Sequence, residues 1–158
     1  MTDRRSLFLL ILAVTCTGSM GNTLLAPAIP DILDEFGVSD SGAGLLIAAT
    51  SFPGIFMAPV IGVLADRLGR RRVLVPCLVM FGASGIAAAL APSFAFLIVA
   101  RLGMGVGAAG LINLAVVLIG DYWTGLDRTR LIGRNAAFLT ICLAILPPVG
   151  GILTDLVS

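Results

Sequence analysis

One short stretch, GVLADRLGRRRVL at residues 62–74, concentrates charged side chains within an otherwise apolar sequence. A carboxylate such as Asp66 near the C-terminus of a helix faces the negative end of the helix dipole. We therefore expect Arg67 or Arg70 to compensate its charge. Gly69 suits a left-handed turn just past the end of a helix. The alternative interpretation is a solvated turn that has no role beyond connecting two helices.

A second candidate is Arg101, the one basic residue that lies well within a long apolar segment and not in its first few residues. A charged side chain at the centre of a bilayer costs at least ~2.5 kcal/mol, which makes such a residue a functional candidate. The alternative is that the long side chain reaches the membrane surface. No Asp or Glu falls near the midpoint of any apolar segment, so no carboxylate partner is evident.

The polar residues Asn22 and Asn113 are weaker candidates, for contact with a substrate. Amides within apolar segments either line a cavity or hold helices together through hydrogen bonds. Both interpretations stay open for these two residues.

Composition excludes several kinds of site. The chain has no histidine, which rules out a Ser-His-Asp hydrolase and histidine ligation of zinc or haem. Cys16, Cys77 and Cys142 are far apart in sequence and form no CxxC pair. We expect no enzymatic activity, no metal and no cofactor. Nucleic-acid binding is not expected either, because the arginines follow the connections between apolar segments.

The elements that must position these residues are membrane-spanning helices. Of the 158 residues, 58% are hydrophobic and 12% are charged, against about 25% charged in soluble domains. Five segments reach the ~20 apolar residues that a span needs, near residues 6–28, 42–64, 73–91, 94–120 and 132–153. The sequence predicts an all-α integral membrane protein of about five transmembrane helices. A signal peptide is the alternative for the first segment.

The distribution of arginine predicts the orientation. Arginines precede the first segment and also occupy the connections after the second and the fourth. The connection after the first segment carries only acidic charges, Asp31, Asp34, Glu35 and Asp40. Because positive charge is retained on the cytoplasmic side, we expect a multi-pass protein of the cell membrane with a cytoplasmic N-terminus.

Residues 62–74 resemble the signature loop between helices 2 and 3 of the major facilitator superfamily, G-x-L-A-D-R-x-G-R-R/K-x-x-L. Every specified position matches: Gly62, Leu64, Ala65, Asp66, Arg67, Gly69, Arg70, Arg71 and Leu74. The resemblance implies that this loop gates the switch between inward-open and outward-open states. It also implies a cytoplasmic charge latch that contains Asp66 and Arg70 and that Asp121 joins. A solvated interfacial carboxylate is the alternative for Asp121.

The fourth segment carries a second match, R-x-x-x-G-x-G-A-A, formed by Arg101, Gly105, Gly107, Ala108 and Ala109. It resembles the helix 4 motif of proton-coupled drug transporters in the same superfamily, which implies a role for Arg101 in proton coupling. Gly103 and Gly107 also form a GxxxG pair, which predicts close helix packing.

The fifth segment partly resembles the drug-antiporter signature G-x8-G-x3-G-P-x-x-G-G. Gly133, Pro147, Gly150 and Gly151 match, whereas Cys142 and Leu146 replace two glycines. We expect Pro147 and Pro148, together with the glycine pair, to break or bend this helix.

The superfamily has about twelve helices in two halves of about six. The resemblance implies that residues 1–158 form one N-terminal transmembrane bundle, an incomplete six-helix half. We expect a fragment that needs the missing C-terminal half or a partner membrane protein. The implied function is proton-coupled efflux of small amphipathic molecules by alternating access. The alternative is a non-transporting scaffold, a partner subunit or a truncated remnant.

Overall fold

A computed structural model describes residues 4–157, with side chains for residues 4–153. Its helices, in chain order, are α1 (Arg4–Thr23), a 3₁₀ turn (Ala26–Ala28), α2 (Ile29–Phe36), α3 (Ser41–Leu68), α4 (Arg70–Ala89), α5 (Phe94–Tyr122) and α6 (Gly125–Val157). Five helical segments are long and apolar enough to cross a membrane, namely the α1–α2 segment, α3, α4, α5 and α6. The prediction of an all-α protein with about five transmembrane helices is confirmed.

The first segment differs from its predicted extent, residues 6–28. Helix α1 ends at Thr23, and the chain then passes through the 3₁₀ turn into α2. Pro27 and Pro30 lie in the first turns of these two elements. Proline is well tolerated there because the amide hydrogens of a first turn have no partner within the helix. The two prolines therefore begin new elements rather than extend α1.

The predicted loop around Gly69 is much shorter than the sequence pattern indicated. Helix α3 continues to Leu68 and α4 begins at Arg70, so the connection is Gly69 alone. The charged side chains of this stretch belong to the last turn of α3 and the first turn of α4.

Helix α6 runs without interruption through Pro147 and Pro148. The predicted break at these residues is therefore wrong, whereas a bend stays a prediction. Each proline removes one backbone donor, and transmembrane helices tolerate this loss where neighbouring groups satisfy the freed carbonyl.

Helix α5 lies at the centre of the bundle and packs against α1, α3, α4 and α6. In its most apolar 18-residue stretch, 50% of the residues are buried, compared with 17–28% in the corresponding stretches of the other four spans. Its side chains Leu111 and Leu114 are fully buried in the core. The other spans expose many large apolar side chains, as expected of surfaces that face lipid or further helices.

Alternating helix directions define two ends of the bundle. The arginine end holds the N-terminus of α1, the α3–α4 connection and the C-terminus of α5; there, the rings of Phe8 and Trp123 are 6.4 Å apart. The α2 end holds α2 and the α4–α5 connection, where Phe36 contacts Phe94. Helix α5 therefore carries Arg101 toward the α2 end and Asp121 at the arginine end.

Candidate functional site

A charge cluster joins three helix ends at the arginine end of the bundle. Arg70, the first residue of α4, forms an ion pair through Nη1 with Oδ1 of Asp66 in the last turns of α3. Its Nε donates to Oδ2 of Asp121 in α5, at 2.9 Å. The structure thus brings together Asp66, Arg70 and Asp121, the three residues that the resemblance placed in one cluster. All three lie at the surface of the bundle, with Arg70 the most enclosed.

Gly69 sets the geometry of this cluster. Its φ of 95° and ψ of 139° lie outside the left-handed helical region, so the predicted left-handed turn is wrong. Its positive φ still favours glycine, because a Cβ would crowd the backbone there. The amide of Gly69 closes α3 by donating to the carbonyl of Ala65 at 3.0 Å. A single residue therefore reverses the chain and holds Arg70 close to Asp66.

The other charged and glycine residues of the stretch 62–74 do not take part in these ion pairs. Gly62 lies within α3, and a Cβ there would meet no atom within 4 Å. Arg67 is exposed beside the apolar residues Val60 and Val63. Arg71 is also exposed, and it lines a groove between the α3–α4 connection and the end of α5, which Asp121 also lines. Among the described arginines, Arg70 alone forms ion pairs.

Arg101 occupies a very different setting within the bundle. Its side chain is 3% exposed. Nη1 donates to the carbonyl of Gly21 in α1 at 2.6 Å, and Nε is buried with no hydrogen-bond partner among the described residues. The guanidinium turns into the bundle, which does not agree with a side chain reaching the membrane surface.

The glycines of α5 allow close packing on two sides. A Cβ at Gly103 would overlap Ser84 of α4, and one at Gly107 would lie 2.8 Å from the Cys77 carbonyl oxygen of the same helix. The GxxxG pair therefore faces α4. Gly105 lies against α3, where a Cβ would overlap the Thr50 carbonyl oxygen.

The two glycines near the end of α6 differ in their surroundings. A Cβ at Gly150 would overlap the carbonyl oxygen of Leu24, whereas one at Gly151 would meet Pro27 only at 3.8 Å. Gly150, one turn beyond Pro147, thus permits close approach between α6 and the end of α1.

A cleft of about 360 Å³ opens between α1, α3, α5 and α6. Asn22 lies on its wall. Its other polar residues are Ser19, Thr23, Thr50 and Ser51, and its apolar residues include Ala108, Ile112, Leu139 and Leu143. Asn113 does not line this cleft; its Nδ2 donates to the Ala109 carbonyl of its own helix at 2.7 Å. The structure therefore separates the two amides that the sequence had grouped.

Two polar residues of interest were not predicted. Asn135 of α6 is 4% exposed, and its Oδ1 accepts a hydrogen bond from the Thr15 hydroxyl of α1 at 2.8 Å. The sequence carried no signal of this contact, because Thr15 lies 120 residues away in the chain. Glu35 of α2 lines the same cavity as Arg101. Because α2 was taken for a connection, no sequence signal pointed to this proximity.

Several known proteins are similar in sequence to this chain. The profile described as Major Facilitator Superfamily matches residues 11–158. The chain is 32% identical over 115 residues to the bacillibactin exporter of Bacillus subtilis (strain 168), covering 70% of this chain and 29% of that protein. It is 31% identical over 137 residues to the multidrug transporter protein MdtP of the same organism, covering 87% and 25%.

A third relative is the quinolone resistance protein NorA of Staphylococcus aureus, 26% identical over 136 residues, with 86% of this chain and 35% of that protein covered. The chain thus spans only about a quarter to a third of the length of these curated relatives. The profile match nonetheless covers nearly the whole chain. The protein therefore belongs to the Major Facilitator Superfamily of membrane transporters.

Proposed function

We propose that this protein takes part in the proton-coupled efflux of small amphipathic molecules by alternating access, in the cell membrane and with its N-terminus in the cytoplasm. The observation that carries the proposal is the family match over residues 11–158. The names of its relatives, an exporter, a multidrug transporter and a quinolone resistance protein, support efflux of organic molecules.

The cleft that Asn22 lines is proposed to form one side of the substrate-binding site. It combines hydroxyl and amide groups with aliphatic side chains, a mixture that suits molecules with both apolar and polar parts. The described residues do not fully enclose the cleft. Further helices, from a C-terminal half or from a partner membrane protein, would have to face it to enclose a substrate.

The Arg70 cluster is the proposed gate on the cytoplasmic side. Its ion pairs join the ends of α3, α4 and α5. Exposed ion pairs contribute only about 0.2–1 kcal/mol each, so they can form in one state of a transporter and break in another. The excess of arginine at this end of the bundle supports its cytoplasmic placement.

Arg101 is the proposed coupling residue. A permanent positive charge held within the bundle interacts strongly with any proton or charge that enters its surroundings, because the local dielectric is low. Its hydrogen bond to Gly21 links this charge to α1, the helix that also contributes Asn22 to the cleft.

The proposal is tested by dye efflux from everted membrane vesicles that contain the protein at its native length, with and without an imposed proton gradient. We expect Arg101→Met to lower gradient-driven efflux at least about tenfold, equivalent to ~1.4 kcal/mol. Its thermal stability should be retained, because apolar replacement of buried charges is often neutral or stabilising. Arg130→Met, which alters an exposed arginine of α6, is the control.

Undiminished gradient-driven efflux by Arg101→Met would overturn the coupling role. A native-length protein that exports no amphipathic dye and does not respond to the gradient would contradict the transport proposal itself.

A further inference from the structure

The cleft between α1, α3, α5 and α6 has an uncharged lining among the described residues. Proteins hold an organic cation away from water by pairing it with a carboxylate or by placing it over the face of an aromatic ring. The described residues that line this cleft include neither an acidic nor an aromatic side chain. This wall therefore lacks the groups that would replace the hydration shell of a cationic ligand.

A positive charge lies behind the α1 side of the cleft. Gly21 lines the cleft, and its carbonyl accepts the hydrogen bond from Nη1 of Arg101 at 2.6 Å. One backbone group thus separates the guanidinium from the lining. Arg101 forms no ion pair with a carboxylate of the described residues. Because charges interact strongly where water is excluded, this arginine disfavours a second cation in the cleft.

Three hydroxyl groups of the lining donate their hydrogens within their own helices. Oγ of Ser19 donates to the carbonyl of Cys16 at 2.8 Å, and Oγ1 of Thr23 donates to the carbonyl of Ser19 at 2.6 Å. Oγ1 of Thr50 donates to the carbonyl of Leu46 at 3.4 Å. A hydroxyl has one hydrogen and two lone pairs. These three oxygens can therefore accept a hydrogen bond from a ligand while their own hydrogens stay engaged.

The two other polar side chains of the lining, Asn22 and Ser51, can both donate and accept. The wall consequently offers a ligand more acceptors than donors. A polar group that carries O–H or N–H hydrogens matches this wall. A group with acceptors alone, such as an ether, would meet mostly oxygen lone pairs and would lose the hydrogen bonds it made with water.

We propose that this cleft selects uncharged amphiphiles whose polar part donates hydrogen bonds, such as alcohols, phenols and amides, over quaternary ammonium compounds and ethers. The inference rests on the proposed transport function and names its substrate class. The hydroxyl oxygens of Ser19 and Thr23 accept from the polar part of the ligand. Ile112 and Leu143, which line the same cleft, contact its apolar part.

Equilibrium binding to the native-length protein tests this selectivity without a proton gradient. The protein is placed in lipid nanodiscs, and partition into empty nanodiscs is subtracted. Three probes share a dansyl group and one alkyl chain, and end in a vicinal diol, its dimethyl ether or a trimethylammonium group. We expect the diol to bind at least about tenfold more tightly than either of the others. A diol that does not bind, or that binds no more tightly than the other two, would overturn the proposal.

A matched pair of variants tests the acceptor role of the hydroxyls. Thr23→Val keeps the shape of the side chain and removes its oxygen, so it should weaken diol binding about threefold to tenfold and leave binding of the dimethyl ether unchanged. Thr17→Val is the control, because the Thr17 hydroxyl also donates to a carbonyl of α1, that of Ala13 at 2.9 Å, but does not line the cleft. Unaltered diol binding by Thr23→Val, or an equal loss in both variants, would contradict the proposal.

Efflux of the same probes from everted vesicles distinguishes this inference from the proposed function. Export of the trimethylammonium probe in preference to the diol would refute the selectivity and leave transport intact. Selective binding of the diol by a protein that exports none of the three probes would support the selectivity and refute the proposed transport.

Discussion

The two charge sites on α5 are constructed in opposite ways. At the arginine end, Asp121 accepts a hydrogen bond from Arg70, which also pairs with Asp66, and all three residues lie at the surface of the bundle. Toward the α2 end, Arg101 is 3% exposed and is held by a single backbone carbonyl. One site has two carboxylates for one cation, and the other has a cation that forms no ion pair with a carboxylate of the described residues.

This difference separates two physical tasks. Charges near water gain little from pairing and lose little when they separate, which suits contacts that form and break as helices move. A buried charge is costly without compensation, so its environment responds strongly when a neighbouring charge appears or disappears. We therefore propose a reversible gate at the arginine end and, at Arg101, a site that responds to neighbouring charge.

The largest expected effect concerns the packing that places Arg101. Gly105→Ala should lower the stability of the protein by about 3 kcal/mol or more, because the new Cβ would overlap the Thr50 carbonyl oxygen and force α3 and α5 apart. The measurement is the midpoint of thermal unfolding in detergent.

Gly54→Ala on the same α3–α5 interface is the matched control, since its Cβ would meet Ala109 at an ordinary 3.7 Å. It should be neutral or slightly stabilising, because alanine favours helix over glycine. A Gly105→Ala variant as stable as Gly54→Ala would show that the Arg101 site does not depend on this close contact.

An intermediate effect is expected at the connection that supports the Arg70 cluster. Gly69→Ala should lower stability by about 1–3 kcal/mol, since an L-residue with a Cβ is strained at a positive φ. Gly62→Ala provides the comparison, because it lies within α3 with open space around its Cβ position. Equal unfolding midpoints for the two variants would argue against a conformational requirement for glycine at position 69.

The smallest effect is expected for the ion pairs themselves. A double-mutant cycle with Arg70→Gln and Asp121→Asn should give a coupling energy below about 1 kcal/mol, because both groups are partly solvated. That energy should fall when salt is raised from about 0.1 M to about 1 M, as the Debye length shrinks from ~10 Å to ~3 Å. A large coupling that salt does not change would remove the contrast with the buried site of Arg101.

The prediction of five spans depended on features that are encoded locally. The length of an apolar segment and its scarcity of charge reflect the thickness of a bilayer, so the number of helices could be read without knowing how they pack. The distribution of arginine likewise predicts orientation from charge alone. The motif around Asp66 and Arg70 could be recognised because its residues are close in sequence.

The predictions from sequence were wrong where the conformation of the backbone depends on contacts with other parts of the chain. Charged residues after Leu64 favoured an early end to α3, but the helix continues to Leu68 because those side chains reach the surface while the backbone stays hydrogen-bonded. Pro147 and Pro148 favoured a break in α6, yet the helix continues through both. Helix α2 was taken for a connection because its apolar face, formed around Leu33, is too short to resemble a span.

The sequence by itself therefore determined the membrane class of this protein, the number of its membrane-spanning segments and the residues that carry unusual charge. Only the tertiary structure decided which groups meet. Arg101 contacts Gly21, which is 80 residues away in the chain, and shares a cavity with Glu35 of α2. Asn135 reaches Thr15 across 120 residues. Such pairings follow from how helices pack, and packing depends on the shapes of surfaces that are remote in sequence.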